Sequence, residues 1–92
     1  MEFEWDDANL EHIAEHDISP DEVEDVFYNK PLRINQEVTD DELRHEIVGE
    51  TNDARVLTVI WTERRNKIRT VTAFDASLKD LKRYVRFKGG TR

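Results

Sequence analysis

The chain contains no cysteine. That excludes a disulfide framework, thiolate metal sites and a cysteine nucleophile, and it suits a reducing compartment. No apolar run approaches the roughly 20 residues of a membrane-spanning helix. The opening Met1-Glu2-Phe3-Glu4-Trp5 has neither the basic start nor the apolar stretch of a secretory signal. A cytoplasmic chain with no membrane attachment is therefore expected. A Gly-rich phosphate loop and the H-E-x-x-H zinc pattern are also missing, and no nucleophilic triad can be assembled.

Positive charge is scarce in the first half. Residues 1–50 carry seventeen acidic and three basic side chains, a net of −14, whereas residues 51–92 carry four and eleven, a net of +7. The total of −7 hides a basic C-terminal half. Such asymmetry points to a polyanion, to an oppositely charged partner, or to halves that neutralise each other in the fold. Self-association of acidic helices on a second copy's basic face is one form of this, so both a homodimer and a hetero-oligomer are open.

Ninety-two residues suit one small domain, read here as residues 1–88 with a flexible tail at 89–92. Asp6 or Asp7 caps a helix reaching Glu15 or His16, with Leu10, Ile13 and Ala14 as its apolar face. Ser19-Pro20-Asp21-Glu22 is a capping box with proline at the first helical position, and Val23, Val26 and Phe27 form the buried stripe behind it. Asn29-Lys30-Pro31 ends that helix. Leu32–Gln36 and His45–Val48 are weaker strand candidates, with a turn over Gly49–Asp53. Arg55–Thr62 is nearly continuous in apolar character and reads as the central strand. A charged turn over Glu63–Lys67 leads to a partner strand, Ile68–Phe74. Ser77 and Asp80 then open a C-terminal helix with Leu78, Leu81 and either Tyr84 or Val85 inward. The expected fold is α+β: two N-terminal helices, an antiparallel sheet of three to four strands, and a C-terminal helix.

Two groups of residues can carry chemistry. At about 100° per residue, Asn9, His12 and His16 share one strip of the first helix, with Trp5 nearby. That strip offers an aromatic surface for a base and an imidazole for proton transfer. The competing reading is an ordinary amphipathic boundary. His12 and His16 also have a metal-chelating spacing, but nothing fixes a third ligand, and neither metal nor cofactor is expected. The second group is basic: Arg44, Arg55, Arg64, Arg65, Lys67 and Arg69 on or beside strands, and Lys79, Lys82, Arg83, Arg86 and Lys88 on the last helix. Guanidinium forks match phosphate oxygens, and converging ones stabilise a pentavalent phosphate.

Three features in order resemble one family. They are Phe3-x-Trp5-Asp6 with Asn9 and His16-x-Ile18-Ser19; Glu22-x-x-x-Val26-Phe27; and Thr62-x-Arg64 followed by Ile68-Arg69 and Thr72-Ala73. Over roughly residues 3–84 the chain is similar to the BrnT toxins, a branch of the RelE-like ribonuclease superfamily. The resemblance implies a RelE-like fold and a toxin of a type II toxin–antitoxin system. It implies metal-independent RNA cleavage that inhibits translation, and a cognate antitoxin, often with a ribbon-helix-helix DNA-binding domain. It matches Trp5, His16, Arg44 (with Glu42 two places earlier), Arg64 and Tyr84 to family positions. The expected catalytic set is His16, Arg44 and Arg64. Trp5, Arg69, Lys82 and Tyr84 are the expected RNA contacts. Glu15 stands where the family usually has a lysine, and Phe74-Asp75 where it usually has basic residues. These departures motivate an alternative, a degenerate module that pairs with an antitoxin or repressor without cutting RNA.

Overall fold

The computed structural model describes residues 1–89. The elements run β1 (Phe3–Glu4), α1 (Asp7–Ala14), α2 (Pro20–Tyr28), β2 (Leu32–Thr39), β3 (Glu42–Glu50), β4 (Val56–Arg64), β5 (Lys67–Asp75) and α3 (Leu78–Gly89). One sheet has the order β1-β5-β4-β3-β2, in which β1 is parallel to β5 and the other pairs are antiparallel. The sheet thus has five strands rather than three to four, and it is not wholly antiparallel. The added strand, β1, lies where Phe3 and Trp5 alternate with Glu2 and Glu4, a pattern that suits an extended lead-in but does not by itself mark a sheet strand. It exists because Phe3 pairs with Ile68, and the Ile68 N–H donates to the Glu2 carbonyl at 2.8 Å.

The helix starts follow local chemistry. Asp6 and Ser19 cap α1 and α2, and each closes a reciprocal capping box. The hairpin turns are tighter than the sequence suggests. Asp40–Asp41 and Arg65–Asn66 each hold two successive residues at positive φ, a two-residue connection whose twist suits the flanking strands. Neither pair contains the glycine that usually marks this turn, so Glu63–Lys67 reads as a longer loop than it is. The following loop is also displaced: Gly49 and Glu50 belong to β3, and the turn closes where the Thr51 N–H donates to the Arg55 carbonyl at 2.8 Å.

The main core lies on one face of the sheet. Ile47, Leu57, Val59 and Ala73 meet Ile13, Ile18, Val23 and Val26, flanked by Trp5, Phe27 and Trp61. On α1 the buried pair is Asn9 and Ile13, whereas Ala14 is exposed. Asn9 is admitted because its amide donates to the carbonyls of Glu4 and Thr70, at 2.9 and 3.2 Å. Gly49 leaves no room for a side chain. A Cβ there would stand 2.9 Å from Val26 Cγ1 and 3.0 Å from Pro31 Cβ. Gly49→Ala is expected to destabilise the protein by about 1–3 kcal/mol, read as a lower denaturant midpoint at unchanged slope.

The opposite face is only partly covered. Val48 and Thr58 are fully buried there, and α3 contributes the buried Tyr84, whose hydroxyl donates to Glu50 at 3.0 Å. Burial raises the Tyr84 pKa, and the neighbouring Glu50 carboxylate adds to this. Of the two alternatives on α3, Tyr84 faces inward and Val85 is exposed; Leu78, expected to face inward, is exposed as well, because α3 meets the sheet through Tyr84. Gly89 closes α3 and is not part of a tail; the rest of the expected tail, 90–92, lies outside the described residues.

Candidate active site

Strand register puts the guanidinium side chains in one place. Arg44, Thr62 and Arg69 lie directly opposite one another across β3, β4 and β5, and so project from the same face. Arg64 follows two residues after Thr62 and shares that face. This is the face away from the main core, since Ile47, Val59 and Ala73 alternate to the other side. The first helix closes the hollow laterally. A cavity of about 180 Å³ is lined by Asn9 and His12 from α1 and by Arg44, Thr62, Arg64 and Arg69 from the sheet, with Glu42 at its edge. Small-molecule pockets run to roughly 300–1,000 Å³, so this hollow suits a group such as a phosphate, not a whole ligand.

A bulge in β5 orients the histidine. Ile60 pairs with Thr72 and Trp61 with Thr70, which leaves Val71 as an extra residue outside the regular ladder. The Val71 carbonyl lies 3.0 Å from His12 Nδ1. A carbonyl can only accept, so Nδ1 carries the proton and the neutral ring keeps its lone pair on Nε2. The imidazole in the cavity is therefore held in one tautomer by a single backbone carbonyl.

Carboxylates oppose each guanidinium. Arg69 is the most committed: it donates to Asp6 at 2.8 and 3.2 Å and to Glu4 at 3.0 Å, with its side chain only 13% exposed. The Asp6 hydrogen bonds raise the Arg69 pKa, with Glu4 adding to the effect. Arg44 Nε donates to Glu42 at 3.1 Å. Arg64 is held least, 3.7 Å from both Glu4 and Glu42, with 46% of its side chain exposed. The three cations are thus unequal: Arg69 braces the β1–β5–α1 corner, and Arg64 is the arm most free to meet an incoming anion.

The same pairing has a pH consequence. The Arg69 hydrogen bond holds the Asp6 carboxyl below its ordinary value of 3.8, helped by the Asn9 N–H. A depressed carboxylate stabilises the fold above its unfolded value, and that stabilisation is lost as pH falls through the folded one. The thermal midpoint is expected to drop as the solution is acidified below about pH 4. The drop should be shallower in Asp6→Asn, where asparagine still caps the helix but carries no charge. An unchanged slope would show that the pair contributes nothing.

The other residues singled out in the sequence lie elsewhere. His16 does not line the cavity. It follows α1, with its ring 6.0 Å from Phe74 and its carbonyl accepting from Arg55. Trp5 packs against the core and its indole N–H donates to Glu24 at 2.9 Å. Tyr84 and Lys82 sit on α3, the first buried and the second exposed. Asp75, one of the family departures, has a structural use: it pairs with Arg55 at 2.9 Å, and Arg55 also reaches Glu22 and the Asp17 carbonyl. Among the described residues, no group of three or more histidine, aspartate or glutamate side chains is placed to hold a metal ion. A larger hollow, about 620 Å³, lies between Tyr28–Lys30 and Glu50–Asn52. Its polar groups are already engaged, since Asn29 donates to Glu50 O and Asn52 and Lys88 donates to two α2-end carbonyls.

No helix among the described residues is long and apolar enough to cross a membrane. Neither a curated protein nor a solved structure matches the chain. A family model does, over residues 5–80: the ribonuclease toxin BrnT of type II toxin–antitoxin systems. That span takes in His12, Arg44, Arg64 and Arg69 together with β2 to β5, all of the sheet but β1, and the chain belongs to the BrnT toxin family, in which a toxin is paired with an antitoxin.

Proposed function

We propose that the chain is a metal-independent endoribonuclease that inhibits translation in the cytoplasm, and that it works at the cavity between α1 and the outer face of the sheet. The observation that carries this reading is the convergence of Arg44 and Arg64 with a tautomer-fixed His12 in one phosphate-sized hollow. The RNA 2′-oxygen attacks the adjacent phosphorus, and the bond from phosphorus to the 5′-oxygen breaks. His12 Nε2 takes the 2′-hydroxyl proton, and the leaving 5′-oxygen takes a proton from water, yielding a cyclic phosphate and a 5′-hydroxyl end; His12 then returns its proton to solvent. Arg64 and Arg44 stabilise the charge that grows on the non-bridging oxygens. The cationic side chains supply the role that a metal ion plays in other nucleases. In this reading the proton-moving role first given to His16 passes to His12, and Trp5 and Tyr84 build the fold.

A second reading has its own support. Glu4, Asp6 and Glu42 pair with all three guanidiniums and bring the local charge close to balance. A module that binds its antitoxin without cutting RNA fits that balance. Purified chain incubated with RNA and chelator separates the two. Cleavage with cyclic-phosphate ends, together with growth arrest on induced expression, supports the enzyme. Intact RNA and harmless expression, with co-purification of a neighbouring-gene product, would leave the binding module.

A further inference from the structure

The cavity uses few of the basic residues that mark the second half of the chain. Most of the remainder lie on α3, where they border a second hollow. A groove of about 420 Å³ runs between β2 and α3, with Leu32, Ile34 and Phe87 as its apolar lining and Arg33, Arg83 and Arg86 around it. Phe87 is 41% exposed. Arg83 approaches Asp80 only at 3.8 Å, and Arg33 and Arg86 have no carboxylate partner among the described residues. In a protein of net charge −7, this is a local surplus of positive charge.

The groove lies beside a free strand edge. β2 is the last strand of the sheet and pairs with β3 on one side only. Among the described residues, no backbone hydrogen bond reaches its other side. A row of unpaired N–H and C=O groups next to an apolar trough fits an added strand, whose backbone supplies the hydrogen bonds and whose alternate side chains fill the trough. RNA has no backbone with that donor and acceptor spacing, and it has no aliphatic groups for Leu32 and Ile34. A second copy paired edge to edge through β2 would bring two sets of three arginines together, and like charges facing each other across strands are destabilising.

We propose that the outer edge of β2 and the β2–α3 groove bind an extended segment of a partner polypeptide added to the sheet as a sixth strand, in which apolar and acidic residues take turns at every second position and so share the face toward α3. The apolar side chains enter between Leu32, Ile34 and Phe87, and the carboxylates meet Arg83 and Arg86. This surface shares no lining residue with the α1 cavity, so it stands whether or not the chain cuts RNA.

The test titrates the isotope-labelled full chain with a glutamate peptide of two Val-Thr-Glu-Thr repeats, as long as the eight residues of β2, which places valine and glutamate on one strand face. The same peptide with lysine for glutamate and a short uridine oligonucleotide serve as the other two arms. The expected result is that only the glutamate peptide shifts and protects the amides of β2 and the last turns of α3. Its affinity should fall roughly tenfold in the double variant Arg83→Glu with Arg86→Glu, about the effect of reversing two exposed charges. Both arginines are exposed, so the variant should fold, and Phe87→Ala probes the apolar half of the groove independently. No binding, binding that leaves β2 unshifted, equal binding by the lysine peptide, or RNA perturbing the same amides would overturn the proposal. So would a concentration-dependent dimer that protects β2.

Discussion

Replacing His12 by alanine is expected to slow RNA cleavage by about 10²–10⁴-fold, the usual worth of a positioned proton-transfer group. The argument rests on three observations. The ring lines the cavity, its Nδ1 is bound to the Val71 carbonyl, and its Nε2 is left as the basic nitrogen. Stability should change by no more than about 1 kcal/mol, because His12 is exposed and loses a single hydrogen bond. His16→Ala is the matched control and should retain activity within a few-fold. A reversal, with His16 essential and His12 dispensable, would move the chemistry one turn along α1 toward Phe74.

The second large effect belongs to Arg64. Arg64→Ala is expected to lower cleavage by about 10²–10³-fold, comparable with removing one preorganised donor from a site of developing negative charge. Little stability should be lost with it. Its two carboxylate contacts are both 3.7 Å long and half in solvent, and exposed pairs of that kind contribute about 0–1 kcal/mol. Arg69→Ala should behave in the opposite way. Its guanidinium ties β5 to Glu4 of β1 and to the Asp6 cap of α1, so the chief loss should be in the unfolding midpoint. Glu42 completes the comparison. It neutralises Arg44 and draws on Arg64, so Glu42→Gln should tighten the binding of inorganic phosphate. Weaker binding in that variant would show that Glu42 positions the arginines and does not compete with the ligand.

The two N-terminal helices and β4 were legible because their signals are local. Ser19-Pro20-Asp21-Glu22 writes a cap, a rigid first position and a reciprocal bond into four residues. Val56 to Trp61 has no other place than a central strand. The alternation of Phe3 and Trp5 with Glu2 and Glu4 suits a short extended lead-in, but its place in the sheet as β1 was not legible, since it pairs with a partner sixty-five positions away. The same limit applies to the site. That Arg44 and Arg64 lie on or beside strands could be read from the sequence; that β4 carries on to Arg64, inside what reads as a charged turn, follows from the two-residue connection at Arg65–Asn66, and their shared face then follows from register. That His12 lines the hollow and His16 does not could not be read, because it depends on how α1 lies against Val71, fifty-nine positions along the chain. Phe74 and Asp75 read as losses against the family pattern. In the fold, Asp75 holds Arg55 and thereby the ends of α1 and α2, a long-range contact with no local signature.

The central claim is that a phosphodiester sits between α1 and the outer sheet face. Titrating the labelled chain with a 2′-deoxy dinucleotide, which binds but offers no nucleophile, tests it most directly. The account predicts that the His12 ring, the Val71 amide and the Arg44 and Arg64 side chains shift together, and that Trp5 and α3 do not. Shifts confined to α3, or none at all while the chain remains folded, would contradict it.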